Sequence, residues 1–234
     1  MKKIVEIAAN IAREWHRRQV DKGGTDYFEG HLSTVAAYGR DWKEKVVGYL
    51  HDAAEDTDHS VDDVMAALRA GIAGDADQPS EEDWAEIEDA LNMMNHNTSA
   101  SREEYIERFR GHRLAIRVKL NDLHSNMNMS RIPNPTEKDR ARHQRYITER
   151  RKLRDMLDEI EVRTGEFANE FMHYDFLSDE MTELEFMVMM AYARHRKGLS
   201  VEDAIVSVNR QRPPHFPELT EEYYAANVKR VLRS

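Results

Sequence analysis

The chain carries, at residues 49–57, the segment YLHDAAEDT, which places four polar side chains within two turns of a predicted helix. Side chains three or four positions apart share a helix face, so His51 neighbours Glu55 and Asp52 neighbours Asp56. A buried imidazole or carboxylate costs several kcal/mol unless it is paired or binds a metal. A His-Asp pair alone is a weak signal, because short motifs recur by chance. The meaning of the segment therefore depends on the residues around it.

Two further polar residues lie in apolar, helical settings on either side of this segment, His31 upstream and Asp122 downstream. Polar residues placed among apolar ones on separate helices indicate a shared site. Two histidines and two aspartates provide mixed nitrogen and oxygen ligands, which suit Mn²⁺, Fe²⁺, Co²⁺ or Zn²⁺ better than Ca²⁺. The chain contains no cysteine, which excludes thiolate ligands. The sequence therefore predicts one divalent metal.

Apolar residues recur at three- and four-residue spacing along most of the chain, which predicts amphipathic helices. Ser60, Ser80 and Ser101 are candidate N-caps. A long charged helix from residue 137 to about 163 is predicted to close the first domain. We therefore expect an all-α fold, a helical bundle over residues 1–164 with a small helical appendage over 165–234. The appendage is expected to pack on the first domain or on a partner subunit of a homo-oligomer.

The composition limits the classes of partner. The chain has 234 residues, of which 40% are hydrophobic and 33% charged, enough for one substantial core. Its net charge of −10 argues against non-specific binding to nucleic acid. It has no run of about 18 apolar residues and no signal-peptide pattern, and it lacks cysteine, so the sequence predicts a cytoplasmic protein without a membrane partner.

These residues and their flanks resemble the HD superfamily of metal-dependent phosphohydrolases. The chain is more closely similar to the hydrolase domain of the Rel/Spo enzymes that degrade the alarmone ppGpp, especially the small stand-alone alarmone hydrolases. The resemblance extends from about residue 4 to residue 157. The matching positions are 21–24, 31, 50–52, 55–57, 105–108, 117–120, 122, 126, 130–131 and 136–139.

The resemblance implies an HD-domain bundle and a role for each matched residue. The implied ligands of one metal, usually manganese, are His31, His51, Asp52 and Asp122. Glu55 and Asp56 would form the catalytic acidic pair. The implied substrate-binding residues are Lys22, Asn126, Lys119 and Arg131. The implied reaction removes the 3′-pyrophosphate from a guanosine tetraphosphate, so the expected partner is a small-molecule nucleotide.

Several positions depart from the pattern of the alarmone hydrolases. Asp21 stands where these enzymes usually carry an arginine that stacks on guanine, and one extra residue lies between Tyr27 and His31. Leu32 replaces the proline that normally follows the ligand histidine. Two alternatives therefore stay open. The chain could hydrolyse another nucleotide or a phosphomonoester, or it could be a catalytically silent HD module that serves regulation or assembly.

Overall fold

The structure is a computed structural model, and it describes residues 1–132, 134–167 and 181–233. Within these ranges the regular structure is helical, apart from one isolated antiparallel bridge between Val20 and Asp26. The predicted all-α fold is confirmed. No helix in these ranges is both long enough and apolar enough to cross a bilayer.

The contacts of the chain divide it into two compact units, Met1–Leu157 and Asp158–Ser234. The division lies within the long helix Glu137–Thr164, whereas the sequence predicts a boundary at its end. The two domains proposed from the sequence, residues 1–164 and 165–234, stay a prediction. The two compact units are described separately below.

The first unit is built from α1 to α8 and the beginning of α9, together with a π-helix and two 3₁₀ turns. The helices are α1 Lys2–Trp15, α2 Ser33–Ala37, α3 Trp42–Leu50, α4 Ala53–Asp56, α5 Val61–Ile72, α6 Glu81–Met94, α7 Arg102–Glu107, α8 Arg113–Asn126 and α9 Glu137–Thr164. The π-helix is Phe28–Leu32, and the 3₁₀ turns are His96–Thr98 and Met129–Arg131. The predicted caps Ser60, Ser80 and Ser101 each accept a hydrogen bond from a backbone N–H of the helix that follows.

Helix α3 lies at the centre of this unit, where it packs against α1, α2, α6 and α8. Val46 and Val47 are fully buried. Gly48 brings α3 close to α2, since a Cβ added at Gly48 would lie 2.9 Å from the Cα of Ala36. His31 lies just before α2 and His51 just after α3. The close packing of these two helices therefore fixes the distance between the two histidines.

The second unit contains α10 Glu183–Arg196, α11 Val201–Gln211 and α12 Glu221–Val231. Its buried core includes Met187, Ala191 and Val208. The buried guanidinium of Arg194 donates to Ser207 Oγ at 2.9 Å, which gives a charged group a partner inside this core.

Candidate active site

Four side chains that are far apart in the sequence converge at the centre of the first unit. The Nε2 atom of His31 lies 3.4 Å from Asp52 Oδ2 and 3.3 Å from Asp122 Oδ1. The Nε2 atom of His51 lies 3.1 Å from Asp52 Oδ2 and 3.7 Å from Asp122 Oδ1. Both histidines and Asp122 are buried. The structure thus brings together all four residues that the sequence proposes as metal ligands.

The far side of each imidazole is held by the protein. His51 Nδ1 lies 2.8 Å from the carbonyl oxygen of Gly48. A carbonyl oxygen only accepts, so Nδ1 carries the hydrogen and the neutral ring presents a lone pair at Nε2. His31 Nδ1 lies 3.0 Å from the hydroxyl of Ser125. Such partners orient metal-binding histidines and fix their tautomers.

The donor atoms fit a divalent metal. His51 Nε2 is buried without a hydrogen-bond partner in the structure. The Nε2 lone pair and the two carboxylates that it faces repel one another, so a cation or a proton is needed between the nitrogen and the carboxylate oxygens. One donor atom each from His31, His51 and Asp52 lies within 4.8 Å of the others, so these three residues form a cluster that could bind a metal. Imidazole and carboxylate donors suit first-row divalent metals.

Electrostatics favour a positive charge at this position. Burial opposes the charged form of His51, but Asp52 and Asp122 outweigh it and raise its pKa to about 10. The same two carboxylates raise the pKa of His31 against the effect of burial. Burial would also raise the pKa of Asp52, yet the two histidines hold it well below its usual range. Without a metal, the site therefore retains protons that a metal must displace.

Asp122 is held by two donors from its own helix. Lys119 Nζ donates to Asp122 Oδ2 at 2.7 Å, and Asn126 Nδ2 donates to Oδ1 at 2.5 Å. The buried Lys119, which the sequence proposes as a substrate contact, thus forms a close ion pair with Asp122. An ion pair of this kind keeps the carboxylate ionised and oriented toward the histidines.

Asp52 is held by Tyr27, a residue that the sequence analysis did not single out. The Tyr27 hydroxyl donates to Asp52 Oδ2 at 2.7 Å and lies 3.4 Å from Asp56 Oδ2. Burial and Asp52 raise the pKa of Tyr27, so its hydroxyl stays a donor. Partial burial and the charges of Asp52 and Glu55 raise the pKa of Asp56. Asp56 therefore lies beside the cluster with a carboxyl group that can exchange a proton.

Glu55 is oriented by the 3₁₀ turn that follows α6. Its Oε2 accepts the backbone N–H of His96 at 3.1 Å, and its Oε1 lies 3.7 Å from His96 Nδ1.

The single helix predicted across residues 49–57 is wrong, since α3 ends at Leu50 and α4 begins at Ala53. Asp52 has φ −96° and ψ −2°, a conformation that interrupts a regular helix.

His31 lies in the π-helix Phe28–Leu32. A π-turn holds one residue more than an α-turn, and in this chain it places His31 where its ring faces Asp52 and Asp122. A Cβ at Gly30 would lie 3.1 Å from Asp21 Oδ2, so the absence of a side chain lets the preceding loop approach. Asp21 organises this loop, because its Oδ1 accepts the backbone N–H groups of residues 23 and 25 at 2.8 and 3.0 Å.

A cavity of about 370 Å³, here called the metal-site cavity, opens onto the cluster. It is lined by Val20, Asp21, Lys22, Tyr27, His31, Asp52, Glu55, Asp56, Arg102, Lys119, Asp122, Asn126 and Tyr146. The proposed catalytic pair and three of the four proposed substrate-binding residues therefore share one cavity. The side chain of the fourth, Arg131, lies outside the described part of the structure.

Four residues of this region were not predicted as site residues from the sequence, namely Tyr27, Arg102, Ser125 and Tyr146. Tyr27 precedes His31 by four positions, a helical spacing that could have revealed it. Arg102 carries no such signal, since its partner is Glu149, which accepts from Arg102 Nε and Nη2 at 2.9 Å each. A long-range pair of this kind becomes visible only in the folded chain.

Comparison with known proteins gives a short match. No protein-family model matches the chain. A protein named GTP pyrophosphokinase, from Streptomyces antibioticus, is 36% identical to it over 63 residues. The match covers 26% of this chain and 8% of that relative. The chain is therefore similar to a small part of a much longer protein.

Proposed function

We propose that this chain is a metal-dependent phosphohydrolase of the HD type that acts on a nucleotide, with the 3′-pyrophosphate of guanosine tetraphosphate as the group it removes. The observation that carries the proposal is the buried Nε2 of His51, which makes no hydrogen bond to any described residue and lies 3.1 and 3.7 Å from two carboxylates that line a cavity. The resemblance to the alarmone hydrolases supports guanosine tetraphosphate as the substrate. So does the short match to a protein whose name denotes GTP and pyrophosphoryl transfer.

The charge of the metal-site cavity supports a need for a cation. Five carboxylates line the cavity, from Asp21, Asp52, Glu55, Asp56 and Asp122. Of its cationic side chains, Lys119 is paired with Asp122 and Arg102 with Glu149. Lys22 has no carboxylate partner among the described residues. Lys22 and the protons held by His31 and His51 are the positive charges left near these carboxylates, and a divalent metal in place of the protons would give a phosphate group a cation to bind.

In the proposed reaction, a divalent metal would be held by His31, His51, Asp52 and Asp122. When bound, it would polarise a phosphoryl oxygen and lower the pKa of a water molecule. Asp56, whose pKa is raised, takes a proton from the attacking water or returns one to the leaving group.

Other residues orient these groups and the substrate. The hydroxyl of Tyr27 contacts the carboxylates of both Asp52 and Asp56 and so fixes their relative position. Glu55, fixed by the backbone N–H of His96, orients the water molecule. Lys22 and Asn126 face the phosphate and ribose groups of the substrate from the cavity lining.

A substrate panel on the full chain tests the proposal. The protein is stripped with chelator, reloaded separately with Mn²⁺, Fe²⁺, Co²⁺ or Zn²⁺, and offered ppGpp, GTP, GDP and a phosphomonoester. We expect release of pyrophosphate from ppGpp with Mn²⁺, and loss of this activity in Asp52→Asn. The matched control Asp62→Asn changes an exposed aspartate outside the cavity and should retain it. Equal turnover in excess chelator would contradict the metal mechanism.

One observation favours a second candidate within the same class. The carboxylate of Asp21 is used by its own loop, so residue 21 does not stack on guanine as the arginine of the alarmone hydrolases does. Tyr146 is instead an aromatic side chain on the cavity lining. An aromatic ring accepts any base, so another nucleotide could be the substrate. Hydrolysis of other nucleotides in the panel without hydrolysis of ppGpp would select this alternative.

A further inference from the structure

A second cavity of about 440 Å³ lies beside the metal-site cavity in the first unit. We call it the basic cavity. Its lining includes Tyr38, His124, Ser125, Asn128, His143 and Arg150. The neighbours Ser125 and Asn126 line different cavities, Ser125 the basic cavity and Asn126 the metal-site cavity.

The two cavities have opposite charge. Among the described residues no carboxylate lines the basic cavity, in a chain whose net charge is −10. Arg150 is partly buried and has no carboxylate partner among the described residues. Burial and the neighbouring Arg154 lower the pKa of Arg150, and no carboxylate among the described residues offsets this effect. A partly buried guanidinium without a counter-charge is an unfavourable arrangement, which an anionic ligand would relieve.

The rest of the lining can donate hydrogen bonds and stack. Asn128 uses its Oδ1 to accept from the backbone N–H and the hydroxyl of Ser130, at 3.1 and 2.6 Å. Its Nδ2 has no acceptor in the described part of the chain, so it can donate to a ligand. The ring of Tyr38 packs edge-on against His124, with centroids 4.8 Å apart, and is 46% exposed. An exposed aromatic ring beside a cation suits a planar group that carries a phosphate.

We infer that the basic cavity is a second binding site, distinct from the metal centre, for a phosphoryl group. Arg150 and His143 contact the phosphoryl oxygens, and Asn128 donates to them. The source of the group is free phosphate or pyrophosphate, or a nucleotide whose base rests on Tyr38. Ser125 lies between the two sites, with its Oγ 3.0 Å from His31 Nδ1. A ligand in the basic cavity would therefore touch the residue that orients a metal-binding histidine.

Calorimetric titration of the full chain tests the inference without relying on the proposed function. The titrations are done in excess chelator, so the metal centre holds no cation, with pyrophosphate and with GDP as probes. We expect Arg150→Gln to weaken binding about ten- to hundredfold, the effect of losing a charge-assisted contact. The adjacent Arg151→Gln, at an exposed position outside the cavity, should bind like the wild type. His51→Ala, which alters the metal centre, should also bind normally.

Further variants identify the source of the phosphoryl group and guard against misfolding. If Tyr38→Ala loses affinity for GDP but keeps its affinity for pyrophosphate, the ligand is a nucleotide. If Tyr38→Ala binds both probes as tightly as the wild type does, the ligand is free phosphate or pyrophosphate. Thermal unfolding checks each variant, and His143→Gln replaces Arg150→Gln if the latter does not fold. The inference is overturned if Arg150→Gln and Arg151→Gln bind equally, if His51→Ala abolishes binding, or if the wild type binds neither probe.

Discussion

The hydroxyl of Tyr27 donates to Asp52 Oδ2 over 2.7 Å, which joins the π-helix to the turn between α3 and α4. Tyr27→Phe removes this bond and keeps the ring against His31, whose centroid lies 5.2 Å away. A hydrogen bond to a charged group contributes about 1.5–3 kcal/mol, so Mn²⁺ affinity should fall about tenfold or more. Competition with a fluorescent chelator measures this affinity.

The exposed Tyr38 offers the matched control for this change, since it lies outside the metal-site cavity. Tyr38→Phe should leave Mn²⁺ affinity unchanged. If both variants bind Mn²⁺ like the wild type, the Tyr27 hydroxyl does not orient a ligand.

Glu55 and Asp122 should respond differently to removal of their charge. Glu55→Gln retains an acceptor for the N–H of His96, so the variant should fold and keep its metal, while turnover falls about 10²–10⁴-fold. Asp122→Asn removes the partner of the buried Lys119, which should cost about 3–5 kcal/mol of unfolding free energy and lower metal occupancy. Metal analysis measures the metal content of each variant, and denaturant unfolding measures its free energy of unfolding. Loss of metal in Glu55→Gln with retention in Asp122→Asn would reverse the proposed roles.

The stability of the metal-free protein should depend on pH through His51. Its pKa is about 10 in the folded chain against an ordinary value of 6.5. Because the folded pKa is the higher one, this stabilisation is complete below about pH 6.5 and is lost as pH rises toward 10. Metal binding displaces the proton, so Mn²⁺ affinity should instead increase with pH. Thermal unfolding at pH 6 and pH 9.5, with chelator or with saturating Mn²⁺, measures both effects.

The opposite trend, in which the metal-free protein gains stability across this range of pH, would show that His51 is neutral in the folded chain.

Gly48→Ala should loosen the contact between α2 and α3, because the new methyl group would meet the Cα of Ala36 at 2.9 Å. Overpacking against backbone costs about 1–3 kcal/mol. The change should also lower Mn²⁺ affinity, since these helices carry the two histidines. In Gly71→Ala the new methyl group meets the side chain of Ile7, which can move. Equal stability of the two variants would show that the α2–α3 contact can adjust.

The sequence predicts the helices well because burial imposes a period that is visible in the order of residues. The spacing of Ile4, Ala8, Ile11 and Trp15 predicts α1, in which Ile4 and Ala8 are fully buried and Ile11 and Trp15 partly buried. The caps Ser60 and Ser80 were equally visible, because an N-cap serine and the backbone N–H that donates to it are only three positions apart. Local geometry of this kind needs no knowledge of the rest of the chain.

The supporting contacts of the site were not predictable in this way. Ser125 is 94 residues from His31, and His96 is 41 residues from Glu55. Such pairs follow from how the helices pack and leave no periodic trace in the sequence. The break between α3 and α4 was also missed, because His51 and Asp52 sit in a segment that is otherwise compatible with a helix.

The π-helix Phe28–Leu32 has a consequence for how this protein tolerates change. A π-turn holds one residue more than an α-turn, so removing one residue would return this segment to an ordinary helical turn and would change the positions of Tyr27 and His31 relative to Asp52. The contacts of Tyr27 and His31 with Asp52 thus depend on the number of residues between Tyr27 and His31 as well as on the identity of the two residues. Single-residue deletions here should be far more damaging than substitutions at the exposed Glu29.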